Sequence, residues 1–156
     1  MLPAENQIII YSDGACKGNP GKGGWGAVLI AGKYQKHIAG FVQNTTNNRM
    51  EITAVIEALK IIKKPSVMTI YSDSNYLKEG ITNWIHSWKI NNWKNKKKEP
   101  VKNIDLWQEL ESLTKEHRIN WQWVKAHSGN HFNEIADSLA SNAAIKMQNF
   151  SQIINN

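Results

Sequence analysis

The sequence is short of the features that mark several large classes of protein. It has one cysteine in 156 residues, so no internal disulfide can form, and a reducing, cytoplasmic setting is expected. No apolar run approaches the roughly 18 residues that a membrane helix needs. The opening Met-Leu-Pro-Ala-Glu-Asn-Gln has no positive region followed by an apolar one, so no signal peptide is expected. There is no internal repeat and no long linker. No glycine-rich loop ends in Gly-Lys-Ser or Gly-Lys-Thr, which removes the usual cradle for a nucleoside triphosphate. Gly18-Asn19-Pro20-Gly21 lacks that form. Acidic residues are outnumbered, 13 against 19 Lys and Arg, for a net charge of +6.

What is present is an ordinary globular composition, 41% hydrophobic and 21% charged, in a length that suits one domain with a proper core. We expect a single domain over residues 1–148 and a fraying polar tail over 149–156. The excess charge is concentrated. Between Trp84 and Lys102 stand six lysines (89, 94, 96, 97, 98 and 102) against Glu99 alone, a balance of +5. The remainder, with 13 basic and 12 acidic residues, is nearly neutral. A basic patch on a balanced protein implies a polyanionic partner.

Periodicity gives the elements. Ile8 to Asp13 reads as a buried strand, followed by 23–30 and 34–42 in a meander turned at Ala31-Gly32-Lys33. Thr45-Thr46-Asn47-Asn48 is a cap signal for a helix over 49–63, stopped by Pro65. Its apolar residues Ile52, Val55, Ile56, Leu59 and Ile62 have helical spacing. Residues 67–71 form a strand ending in Ser72-Asp73-Ser74, and 74–80 a short helix closed by Gly80. Helices are expected over 84–90, 103–117 and 133–147, with an alternating strand over 119–124. This order argues an α/β fold: a mixed five-stranded sheet, three strands antiparallel and then parallel ones, flanked by helices.

Four carboxylates stand in unusual places. Asp13 and Asp73 close core strands, and neighbouring strands would bring both to one edge. Each has an ordinary reading too, Asp-Gly as a turn and Ser-Asp-Ser as a cap. Glu51 lies in line with Val55, Ala58 and Ile62, on a stripe that faces the sheet. It also stands third after Asn48, where it could close a capping box. Asp137 edges the Ala/Leu stripe of the last helix, where a solvated flank is the plain alternative. His127 lies in the loop Lys125-Ala126-His127-Ser128-Gly129-Asn130. Taken together, three or four carboxylates without a Cys/His ligand set suit hard ions such as Mg²⁺ or Mn²⁺ rather than zinc. Two such ions can activate water and stabilise the leaving oxygen of a phosphodiester.

The basic segment extends that reading to a polymer. Trp84, Trp88 and Trp93 interleave with Lys89, Lys94, Lys96, Lys97 and Lys98. Lysines that follow a backbone, with aromatic rings against sugar or base, suit a nucleic-acid groove. At least one of these tryptophans is expected in the core. Cys16 reads as a packing or contact residue rather than a nucleophile.

Several blocks resemble ribonuclease H type 1 in its bacterial form. They are Tyr11-Ser12-Asp13-Gly14-Ala15-Cys16-Lys17-Gly18-Asn19-Pro20-Gly21, Thr45-Thr46-Asn47-Asn48-Arg49-Met50-Glu51 and Tyr71-Ser72-Asp73-Ser74. Gly80-Ile81-Thr82-Asn83-Trp84-Ile85, Val101-Lys102-Asn103-Ile104-Asp105-Leu106-Trp107, Trp123 to Gly129 and Asn133-Glu134-Ile135-Ala136-Asp137 follow in family order. The resemblance implies a ribonuclease H-like sheet and an endonuclease that cuts the RNA strand of RNA–DNA hybrids, leaving 3′-hydroxyl and 5′-phosphate ends. It implies that Asp13, Glu51, Asp73 and Asp137 hold Mg²⁺ (or Mn²⁺), two ions with substrate bound, and that Glu51 approaches a ribose 2′-hydroxyl. By the same resemblance His127 moves a proton or helps product leave, and Cys16, Asn19 and Asn47 contact RNA. Thr46 and Asn48 hold the DNA strand, with Trp84 and the lysines lining its channel. Asn75 stands where the family commonly has Gln, and Asn130-His131-Phe132 lacks a common Pro. A monomer without a membrane partner is expected. The alternative is a silent nucleic-acid-binding module on the same fold, which would have no chemical need for four mutually repelling carboxylates.

Overall fold

The structure, a computed structural model, describes residues 7–126 and 129–154. Its sheet has six strands in the order β5-β4-β1-β2-β3-β6. β1 (Ile8–Lys17), β2 (Gly21–Ala31) and β3 (Tyr34–Thr45) form the antiparallel meander. β4 (Val67–Ser72) lies parallel to β1, and β5 (Arg118–Trp123) parallel to β4. Three antiparallel strands followed by parallel ones is the expected arrangement. The sixth strand is not: β6 (Phe150–Ile154) pairs antiparallel with β3 in the stretch expected to fray. Its Phe-Ser-Gln-Ile-Ile has little burial to announce a strand, but β3 leaves an open edge whose backbone groups need partners.

β1 corrects a second expectation. It does not end at Asp13 but pairs with β2 as far as Lys17↔Lys22, while its parallel pairing with β4 stops at Tyr11↔Tyr71. The Asp-Gly pair is therefore inside a strand, and the turn comes at residues 18–20. Asp13 sits where β1 runs on past the end of β4, paired with β2 only.

The helices cover both faces of the sheet. α1 (Asn47–Ile61) is capped by Thr46, whose Oγ1 accepts from the Arg49 N–H at 3.2 Å. The capping box from Asn48 does not form, and the helix ends at Ile61 with Ile62 as its cap, before Pro65 acts. α5 (His131–Lys146) packs on the other face. Alternate residues of β2 show the division: a Cβ on Gly23 would meet Met50 of α1, and one on Gly24 or Gly26 the backbone of α5. Glycine in β2 lets both helices lie close to the sheet.

α2 (Asn75–Glu79) does not stop at Gly80. The chain stays helical through one wide π turn (Gly80–Trp84) into α3 (Ile85–Ile90). Gly80 has ordinary right-handed backbone angles. Its role is packing, because a Cβ there would run into the Trp107 ring. Trp107 comes from α4 (Ile104–Thr114) and is wholly buried with Leu110. Truncating it to Ala would cost about 3–5 kcal/mol, the usual loss for a buried aromatic.

Candidate active site

The corner after β4 is built by two serines. Ser74 N–H donates to Ser72 Oγ (3.1 Å), and Ser74 Oγ accepts from the Leu77 N–H (3.0 Å), capping α2. The cap is thus Ser74 and not Asp73, which leaves Asp73 presented between the two. Asp13 comes from the overhanging part of β1. Glu51, in the first turns of α1, is only 5% exposed, and its Oε1 accepts from the Gly14 backbone N–H at 2.8 Å. The same N–H reaches Asp13 Oδ1, also at 2.8 Å. Carboxylate oxygens of Asp13, Glu51 and Asp73 all lie within 4.8 Å of one another. Asp137, on α5, lines the same cleft outside that tight group.

Burial dominates the electrostatics. It pushes the Asp13 carboxyl up to about 7, opposed chiefly by its hydrogen bond to Glu51, while nearby Asp73 and, less, Asp137 add to the rise. Glu51, more deeply buried, is raised well above the usual carboxylate range, first by burial and then by Asp13. Glu51 Oε2 is buried with no hydrogen-bond partner. Oxygen ligands that are packed together, desolvated and incompletely hydrogen-bonded fit a hard divalent cation, whose charge would offset all three costs.

The cleft, about 370 Å³, is also lined by Asn47, Asn48, Asn75 and Tyr76. Asn19 Oδ1 accepts from the Asn47 backbone N–H (3.1 Å), joining the β1–β2 turn to the start of α1. Cys16 is half-buried, and its thiol donates to the Thr45 carbonyl (3.4 Å). His127 lies outside the described residues. Tyr76 was not anticipated: it is a lone aromatic beside Asn75, and no periodicity marks it.

Away from the carboxylates, Trp84 stands 37% exposed, while Trp88 and Trp93 pack against the core. Lys94, Lys96 and Lys98 line a groove of about 720 Å³ with Trp88. Lys89 turns aside to pair with Glu111 at 2.9 Å. Lys97 joins the same basic loop through its backbone, which donates to Asn95 Oδ1.

A mixed α/β sheet that carries an oxygen-only acidic centre at the overhang of its first strand, with a separate basic groove, fits the class of metal-dependent nucleases. Comparison with known proteins narrows the class. The RNase H family model matches residues 5–145. Ribonuclease H of Cupriavidus pinatubonensis is 57% identical over 135 residues, covering 86% of this chain and 93% of that protein. Ribonuclease H of Wolbachia pipientis wMel is 53% identical over 142 residues, covering 91% and 98%. A crystal structure described as LC9-RNase H1, a type 1 RNase H with the type 2 active-site motif, superposes with a TM-score of 0.87 at 29% identity, over all of this chain and 80% of that one. The chain belongs to the ribonuclease H family, and it is an endoribonuclease.

Proposed function

We propose a division of labour among the side chains for hydrolysis of the RNA strand of RNA–DNA hybrids, the activity that family membership brings. The observation that carries it is the oxygen cluster of Asp13, Glu51 and Asp73 on the floor of a cleft walled by Asn47, Asn48 and Asn75.

Asp13, Glu51, Asp73 and Asp137 hold Mg²⁺, two ions when substrate is bound. The cations supply activation of the attacking water and neutralisation of charge at the scissile phosphate. Glu51 reaches the ribose 2′-hydroxyl, the group that separates RNA from DNA. Asn19, Asn47 and Cys16 follow the RNA strand, and Asn75 reaches it from the start of α2. Thr46 Oγ1 already accepts from the Arg49 N–H, so its hydroxyl proton is free to donate to a DNA phosphate, next to Asn48. His127 takes or returns a proton as product leaves. Trp84 and Lys94, Lys96, Lys97 and Lys98 carry the DNA strand along the groove, and Lys89 joins them once released from Glu111. These are backbone contacts, so cutting depends little on sequence.

One catalytic domain, which includes β6 beyond the expected boundary at 148, acts as a monomer. A free thiol at Cys16 supports a cytoplasmic setting, and no described helix is long and apolar enough to cross a membrane. The test labels each strand of hybrid, duplex RNA and duplex DNA in turn. Cutting confined to the RNA of the hybrid, present with Mg²⁺ and absent with chelator, is expected. Cutting of duplex DNA, or cutting in chelator, would refute the reading.

A further inference from the structure

The Val101–Trp107 block has no role in the chemistry above, yet it is the most heavily bonded polar junction among the described residues. Arg49 donates from Nη1 and Nη2 to the two oxygens of Asp105, at 3.0 and 2.7 Å. Its Nη1 also donates to Asn103 Oδ1 at 3.1 Å. Asn103 Nδ2 donates to the Tyr76 hydroxyl (2.9 Å), which accepts from Trp107 Nε1 as well (3.2 Å). The Asn103 backbone is left-handed, φ +60°, a conformation that Asn tolerates better than most residues.

One side chain thus ties three segments together: the first turn of α1 next to Glu51, the first turn of α2 next to Asn75, and the exit of the basic loop. The loop itself is stiff. Val101 N–H donates to the Trp93 carbonyl (3.1 Å), Lys94 pairs with Pro100, and Asn95 Oδ1 accepts from the Lys97 and Glu99 N–H groups. A stiff loop moves as a unit, so whatever fixes its base fixes its lysines.

We propose that Arg49 and Asp105 are positioning residues that, through Asn103, hold the lysine-bearing loop over residues 91–102 at a set distance from the carboxylate cleft. The proposal rests on the reading of that loop as part of the substrate channel. The pair is partly solvated, with side chains 33% and 61% exposed, so it adds little to stability. Its effect falls on how the two grips on the hybrid are spaced. The bidentate fork matters here, since it fixes orientation as well as charge.

The experiment measures steady-state cleavage of a hybrid by Asp105→Asn across a range of salt. KM rises about fivefold with kcat nearly unchanged, the pattern of lost uniform binding. The dependence of KM on salt flattens as lysines lose their phosphates. Arg49→Lys, which keeps the charge and loses the fork, shows the same defect. The KM effects of Asp105→Asn and Tyr76→Phe combine to less than their product, because both act through Asn103. Glu57→Gln, which breaks the Lys60–Glu57 pair at 2.9 Å elsewhere on α1, leaves KM alone. Wild-type KM and salt slope in both Asp105→Asn and Arg49→Lys would overturn the proposal. Lys96, Lys97 and Lys98 changed together to Ala serve as reference. If that variant shifts the slope and Asp105→Asn does not, the brace alone falls; if the triple variant changes nothing, the channel reading falls and takes the brace with it.

Discussion

Gly14 donates one backbone N–H to two carboxylates, Asp13 Oδ1 and Glu51 Oε1, each at 2.8 Å. The close approach depends on the missing side chain. A Cβ on Gly14 would lie 2.6 Å from the Glu51 backbone nitrogen and 2.6 Å from the Met50 carbonyl carbon. Gly14→Ala therefore pushes α1 away from β1. We expect a loss of about 1–3 kcal/mol in stability, the usual range for overpacking. Cleavage should fall far more than stability, because Glu51 moves with the helix. Thermal unfolding and kcat measured on one preparation test this, and a fully active Gly14→Ala protein would contradict it.

The second prediction concerns pH. Asp13 in the folded protein keeps its proton up to about 7, against an ordinary value of 3.8, and Glu51 is raised also. Between those limits the folded chain binds more protons than the unfolded one. Stability without metal should therefore fall as pH rises from about 4 to above 7. A divalent cation should restore it most at the high end, where the charged form of Asp13 is most disfavoured without a counter-charge. Melting temperatures with Mg²⁺ and with chelator, from pH 4.5 to 8.5, provide the check. A metal-free melting temperature that rises steadily through this range would oppose it.

Asp13→Asn separates chemistry from folding. The amide removes one buried charge from the cluster. We expect no measurable cleavage, hybrid binding within a few-fold of wild type, and a metal-free protein more stable than wild type at pH 8, where the buried carboxylate would otherwise be charged. Near-normal cleavage would remove Asp13 from the metal site.

Replacing Lys96, Lys97 and Lys98 by Ala should raise KM and reduce the slope of log KM against log salt by about 2–3, roughly one counterion for each phosphate contact. Titration of KM between low and physiological salt reads this directly. The effect on kcat should be small, since these lysines lie away from the carboxylates.

Removing residues 149–156 deletes β6 and uncovers the β3 edge. Phe150 is 44% exposed and Ile153 more so, so little apolar area is lost. We expect a stability loss of about 1–2 kcal/mol, unchanged kcat, and more aggregation at high concentration from the freed edge. Unfolding curves and light scattering would show it; unchanged behaviour in both would mean that the strand contributes nothing.

Period and punctuation revealed much of this molecule. The inward stripe of α1 placed Glu51 correctly, because one helical face must meet the sheet. Ser72-Asp73-Ser74 marked the end of β4. What stayed hidden depended on partners distant in sequence. The extension of β1 past Asp13 is set by β2, and a turn-prone Asp-Gly gives no sign of it. Gly80 reads as a stop in sequence, but the Trp107 ring lying against it is what requires glycine there. β6 exists because β3 has an edge to cover. Tyr76 and Asn103 meet through side chains 27 positions apart, which no local pattern encodes.

The overhang of β1 past β4 has one more consequence. The acidic centre draws a residue from the first strand, the first helix, the corner after the fourth strand and the last helix of the domain. No contiguous piece of the chain holds the set. A chain still lacking α5 has three of the four acidic residues that line the cleft. The full acidic lining of the cleft is therefore assembled only when α5 packs onto the sheet, late in the order of the chain.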